Sequence, residues 1–225
     1  SSRIAVTCEA VYAMFAASAD AAGRGFEDEA LWLARLLHER SGKHPETAGL
    51  LALFLHVLAR RPAQYVDGQY VSLDAQDPEA WDLALMKEAE RLLHAAAQAR
   101  VPGRFQLEAA IQSAHAARRF RGSVDWTAVV ALYEQLFSFA NTVGARGAQL
   151  AARAELDGAQ AAYLRLLQLP EDRVQGHQPY WALRAHLERE LGRDFKSSAQ
   201  RALLLSERPE VQEFLRAKFS LDATD

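Results

Sequence analysis

Cysteine is nearly missing: Cys8 stands alone among 225 residues. One thiol excludes an internal disulfide, and without a partner cysteine a structural zinc site is not expected. It suggests a reducing compartment, so a cytoplasmic location is the expectation. Long apolar runs are also missing. The longest candidate, Ala48 to Ala59, is interrupted by His56 and closed by Arg60, Arg61 and Pro62. That is short of the roughly 18–20 residues that span a bilayer, so no membrane segment is expected. There is no basic surplus either: 26 Lys and Arg face 29 Asp and Glu, a net charge of −3. Affinity for phosphate chains draws on such a surplus, so direct DNA binding by this chain is not expected. The N-terminus is neither a start methionine nor a signal peptide, and the chain is expected to be a fragment of something longer.

The common catalytic signatures are missing as well. There is no phosphate-cradling G-x-x-x-x-G-K-[ST], no G-x-G-x-x-G after a strand and no G-x-S-x-G elbow. His38-Glu39 lacks the second histidine that a zinc-binding H-E-x-x-H needs. His115 and His186 fall on partly apolar faces, where a lone histidine is more often a hydrogen-bonded core residue than a ligand. No metal, no cofactor, no nucleophile and no enzymatic activity are therefore expected.

What remains is helical periodicity. The chain is 50% hydrophobic and 24% charged, enough for one large domain or two small ones without metal or disulfide staples. Ala5 to Ser18 shows a stripe of Val6, Ala10, Met14 and Ala17, with Val11 and Phe15 beside it. Asp28 to Arg40 places Trp32, Leu33, Leu36 and Leu37 on an apolar face, and Gly42 takes the helix-stop position. Pro45 opens a helix apolar nearly all round, hence central. In Gln64 to Leu73, Asp67-Gly68 sits between β-formers, which predicts a small inserted hairpin near Tyr65 to Ser72. Asp77 as N-cap with Pro78 at the first turn predicts a long helix to Ala99. Phe105 to Ala117 follows, then Arg118 to Gly122 as a solvated basic loop. Asp125 to Phe139 follows, and then shorter helices near Thr142 to Ala154, Asp157 to Leu169, Pro179 to Leu191, Phe195 to Leu205 and Pro209 to Phe219. Residues 222–225 are expected to fray.

Trp181, Leu191-Gly192 and Pro209 keep the separations of a tetratricopeptide unit, with Glu188 at an inner aromatic position. The expected fold is all-α: antiparallel helix pairs in a tetratricopeptide-like right-handed array, interrupted by the hairpin. Residues 1–140 form one helical region and 141–225 a degenerate repeat region, continuous as one domain. Asp74, Asp77 and Asp82 are read as capping groups and as ion-pair partners of Arg60 and Arg61. Trp32, Trp81, Trp126 and Trp181 recur once per helix pair and are read as packing anchors.

The order of short motifs carries a resemblance. LARLLHE (Leu33 to Glu39) precedes PETAGLLALFL (Pro45 to Leu55) and ARRPAQYVDGQYVSLDAQD (Ala59 to Asp77). W-D-x-A-L (Trp81 to Leu85), GRFQLEAAIQSAHA (Gly103 to Ala116) and VDWTAVVALYEQL (Val124 to Leu136) follow. This order resembles the helical, tetratricopeptide-like extension at the C-terminus of a group of extracytoplasmic-function sigma factors. Two stretches depart from that pattern, at Phe15 to Ser18 and at Thr142 to Ala154. The resemblance implies a regulatory role. The partners would be the sigma core regions and RNA polymerase within the full-length protein, and a signal protein. Trp81, Gln106, His115, Trp126 and Tyr133, in the motif-bearing helices, are the candidate contact residues. Two other readings stay open: a free-standing helical adaptor for a peptide or protein, and an all-α enzyme with a pocket under the hairpin.

Overall fold

The computed structural model describes residues 2–20 and 26–221; the expectation for residues 222–225 falls outside them. Among the described residues the chain is all-α apart from one two-stranded antiparallel hairpin. No described helix is long and apolar enough to cross a membrane. Contacts divide the chain into two compact units, Ser1–Gln64 with Leu73–Val124, and Tyr65–Ser72 with Asp125–Asp225. By contacts the chain passes from one unit to the other at 124/125, and the hairpin goes with the second unit.

The first unit contains α1 (Ser2–Asp20), α2 (Glu27–Arg40), α3 (Pro45–Ala59), α4 (Leu83–Ala97), α5 (Arg104–Ala116) and α6 (Arg118–Arg121). α3 is its centre, buried from Thr47 through His56 and packed chiefly against α4 and α5. The buried stripe of α1 is Cys8, Val11 and Phe15, with Ile4 partly buried. This corrects the stripe read through Val6, which is 70% exposed. Both stripes satisfy the helical period; the aromatic ring decides, because Phe15 stacks on Phe54 with centroids 3.9 Å apart. Trp32 is likewise exposed and is not a packing anchor.

α2 ends in a Schellman turn. Gly42 adopts φ +66°, its N–H reaches the Glu39 carbonyl, and the Lys43 N–H reaches that of His38. α4 starts later than the sequence suggests. Asp77 and Pro78 open only a short 3₁₀ turn, Pro78–Ala80, after which Trp81 is extended. The Asp82 N–H then donates to the Ala59 carbonyl at 2.8 Å, tying the chain to the end of α3. The Asp82 carboxylate accepts from Ala84 and Leu85, which is what starts α4.

The second unit contains β1 (Tyr65–Val66), β2 (Gln69–Tyr70), α7 (Trp126–Leu136), α8 (Val143–Asp157), α9 (Ala159–Leu166), α10 (Glu171–Val174), α11 (Gln178–Glu190), α12 (Lys196–Leu204) and α13 (Pro209–Phe219). Asp125 and Thr142 cap α7 and α8. The hairpin turns at Asp67 and Gly68, with φ of 51° and 80°, as a type I′ turn requires. An isolated hairpin is marginal in water. This one leans on α13: the Tyr70 ring meets Phe214 edge-on at 5.4 Å, and the Tyr65 hydroxyl donates to Glu210. Gly192 ends α11 in a second Schellman turn. Trp181 packs in two apolar clusters of this unit, on either side of α11.

Candidate functional site

Most motif-bearing residues turn out to build the fold. In PETAGLLALFL, His44 precedes the motif and its Nδ1 accepts from the Glu46 N–H at 3.2 Å, capping α3. The Glu46 carboxylate then leaves its own helix. It accepts the Phe105 N–H at 2.8 Å and the Gln106 side-chain amide at 3.3 Å, capping α5 from 59 residues away. Gln106 also donates to the Val101 carbonyl at 3.0 Å, so it serves the α5 entry. A β-carbon on Gly49 would stand 2.5 Å from the Gln106 nitrogen, so glycine permits the close crossing of α3 over α5.

The ARRPAQYVDGQYVSLDAQD segment is held by arginines of α6. Arg118 donates to the carbonyls of Leu73, Asp74 and Gln76, and Arg119 to those of Pro78, Glu79 and Trp81. This corrects the solvated basic loop: the segment is helical and its first two arginines clasp a backbone loop. Trp81 is 2% exposed; its indole N–H donates to Gln76 and its ring faces the Arg118 guanidinium at 4.9 Å. Of the acidic group, Asp77 and Asp82 act as caps. Arg61 pairs with Glu27, a nearly buried carboxylate in the first turn of α2.

His115 shares this corner. Burial, reinforced by Arg60 and Arg118, pushes its imidazole down to about 4. It is therefore neutral in the folded state and titrates near 6.5 in the unfolded chain. Between those values the unfolded chain binds the extra proton. The stability His115 confers is complete above about pH 6.5 and is lost as pH falls toward about 4, by up to about 3 kcal/mol. The advantage of wild type over His115→Gln in urea midpoint should be greatest above about pH 6.5 and shrink as pH falls toward about 4. A constant difference would contradict the assignment.

Cys8 is fully buried, and its thiol is pushed up to about 12, first by burial and then by Glu46 and Glu9. Thiolate is the reactive form. The native protein should not react with Ellman's reagent near about pH 8, whereas the urea-unfolded chain should give one equivalent. Rapid reaction of the native protein would show that α1 is not seated on the apolar cluster that buries Cys8.

Trp126 and Tyr133 lie on α7 in the second unit, half-buried, whereas Trp81, Gln106 and His115 lie in the first. The structure brings Trp81 and His115 together through Arg118. Glu188, which stands where the repeat pattern wants an aromatic, is buried and accepts from the Tyr163 hydroxyl at 3.1 Å and from Arg184 at 2.8 Å. The aromatic ring is thus supplied by another helix, α9.

An open hollow was not anticipated. It measures about 590 Å³ and is lined by Glu134 and Phe137 at the end of α7, by Arg146, Gln149 and Arg153 of α8, and by Arg165 of α9. Small-molecule and peptide sites commonly run from about 300 to 1,000 Å³. Arg153 pairs with Glu134 and Asp157, and Arg165 with Asp157, which holds the Asp157 carboxyl below its ordinary range. The signal was present in the sequence: positions 146, 149 and 153 follow the three- and four-residue spacing of one helix face.

Residues 3–97 match the model of a family of unknown function, DUF6596. The chain is similar to an uncharacterised protein of Rhizobium meliloti (strain 1021), 30% identical over 192 residues, which is 84% of this chain and 45% of that protein. The chain thus spans somewhat less than half the length of this relative. No solved structure gives a significant match. The first unit, α1 to α4 above all, is the part of the chain similar to DUF6596.

Proposed function

We propose that this chain is a regulatory protein-interaction module of an extracytoplasmic-function sigma factor. In this reading it controls transcription initiation by contacting the sigma core or a signal protein, works in the cytoplasm with RNA polymerase, and does not itself bind DNA. The observation that carries the reading is the ordered series of motifs from Leu33 to Leu136. Those motifs are spent on helix caps, a close helix crossing and a clasped loop, so what they specify is a scaffold and not a reaction centre. The acidic balance supports it, since sigma–promoter contact needs a basic surplus that would have to lie elsewhere. So does the relative, more than half of which lies outside the match.

The test has two arms. The isolated chain should not retain promoter DNA even at low salt, where electrostatic binding is strongest. Deleting it from the longer protein should change reporter transcription in cells, in either direction. Unchanged output with the sigma core intact would leave the free-standing adaptor as the better reading.

A further inference from the structure

We infer that the hollow between α7, α8 and α9 binds an acidic peptide segment, with Arg146 and Gln149 as its anchors. The inference rests on the interaction reading above and names the chemistry of the partner.

Two observations carry it. Among the described residues Arg146 has no carboxylate partner, unlike Arg153 and Arg165 beside it. Its guanidinium is nonetheless fixed: Nε donates to the Asn141 side chain at 2.8 Å, and the plane lies 3.7 Å from the Phe137 ring centroid. That is a held cation with donors to spare, the arrangement that receives a carboxylate in two-pronged fashion. The second observation is Gln149, one turn along α8. Its stem is buried, the residue being 6% exposed, it lines the hollow, and its amide is not among the buried polar groups left unpaired, so that end stays open to the hollow. A ligand that pairs this amide replaces water at the open edge of the hollow and fixes the register of what binds there.

The choice of occupant follows from the chemistry. A glutamine amide offers one donor group and one acceptor side by side, which matches the C=O and N–H of a peptide backbone. A carboxylate or a phosphodiester offers acceptors only and would leave the Gln149 oxygen unpaired. Three guanidinium groups around the same space favour acidic side chains on that backbone. Glu134 and Asp157, standing among them, oppose the dense charge of a nucleic acid. The hollow is open, as an extended segment requires.

The experiment measures fluorescence anisotropy of a labelled peptide of alternating Glu and Gly, about eight residues long, with the 225-residue chain. A Lys–Gly peptide, inorganic phosphate and single-stranded DNA serve as comparisons. The Glu–Gly peptide should bind, and more weakly as salt rises. Arg146→Ala should weaken it about tenfold and flatten the salt dependence. Gln149→Leu, which fills the same buried space, should weaken it about threefold and leave the salt dependence unchanged. Both variants should keep the wild-type melting curve. The site is wrong if both variants bind as wild type does, if the Lys–Gly peptide binds equally well, or if phosphate or DNA binds in preference. Lack of peptide binding together with altered transcription on deletion would overturn this site alone. Peptide binding with unaltered transcription would overturn the sigma-factor role alone.

Discussion

Gly49→Ala should destabilise the first unit by about 3 kcal/mol, although alanine is the better helix former. Propensity alone favours the change by roughly 1 kcal/mol, so the two effects have opposite signs. The added β-carbon would lie 2.5 Å from the Gln106 nitrogen, 2.8 Å from the Gln106 Cα and 2.8 Å from the Phe105 carbonyl carbon. These are backbone atoms, so no side chain can rotate away. α5 must shift, and with it the Phe105 N–H that Glu46 accepts and the Phe105 ring, which is 1% exposed. The urea midpoint should fall, and amide exchange in α3 and α5 should accelerate more than in α8. A stabilised Gly49→Ala protein would mean that the two helices do not cross this closely.

Trp81→Ala should cost about 3–5 kcal/mol, the range for removing a buried aromatic from a packed core. Trp81 lies among Ala59, Ala63, Met86 and Ala116, with Leu73 and Leu85 against it. Its loss opens a cavity, leaves the Gln76 oxygen without its indole donor, and removes the ring beneath Arg118. The clasp on the carbonyls of residues 73–76 would loosen with it. Trp81→Phe keeps most of the ring and should cost about half as much. An anchor for a partner would behave differently: truncation would abolish binding and leave the midpoint unchanged. That result would return Trp81 to the list of contact residues.

What was legible in the sequence was local. Asp67-Gly68 predicts the hairpin and Gly42 a helix stop, and the ranges opening at Asp125 and Thr142 begin on the residues that cap α7 and α8, because each signal acts within four residues of itself. The apolar run after Pro45 announced the central helix, since a helix buried on every side needs no phase. Phase was where reading failed. On α1, alanines made two stripes equally apolar, and only the stacking of Phe15 on Phe54 chose between them. Long-range polar contacts were not legible at all. The Glu46 carboxylate reaches 59 residues ahead to the start of α5, and Arg118 reaches back 42 to 45 residues. Both look in sequence like ordinary surface charges. Gln106 and Trp81 were found as motif residues, but the motif reflected packing and capping. The hollow was missed because Gln149 reads as a polar surface residue until α7 and α9 cover it.

The central claim is the proposed one, that this chain acts on transcription initiation by contact. Its most direct measurement is run-off transcription with purified RNA polymerase and the full-length sigma factor that the proposal requires, with and without this segment. The account predicts a changed rate of initiation on deletion, with promoter DNA still bound by the remaining protein. Equal rates from the two proteins, both folded and both bound to polymerase, would contradict it.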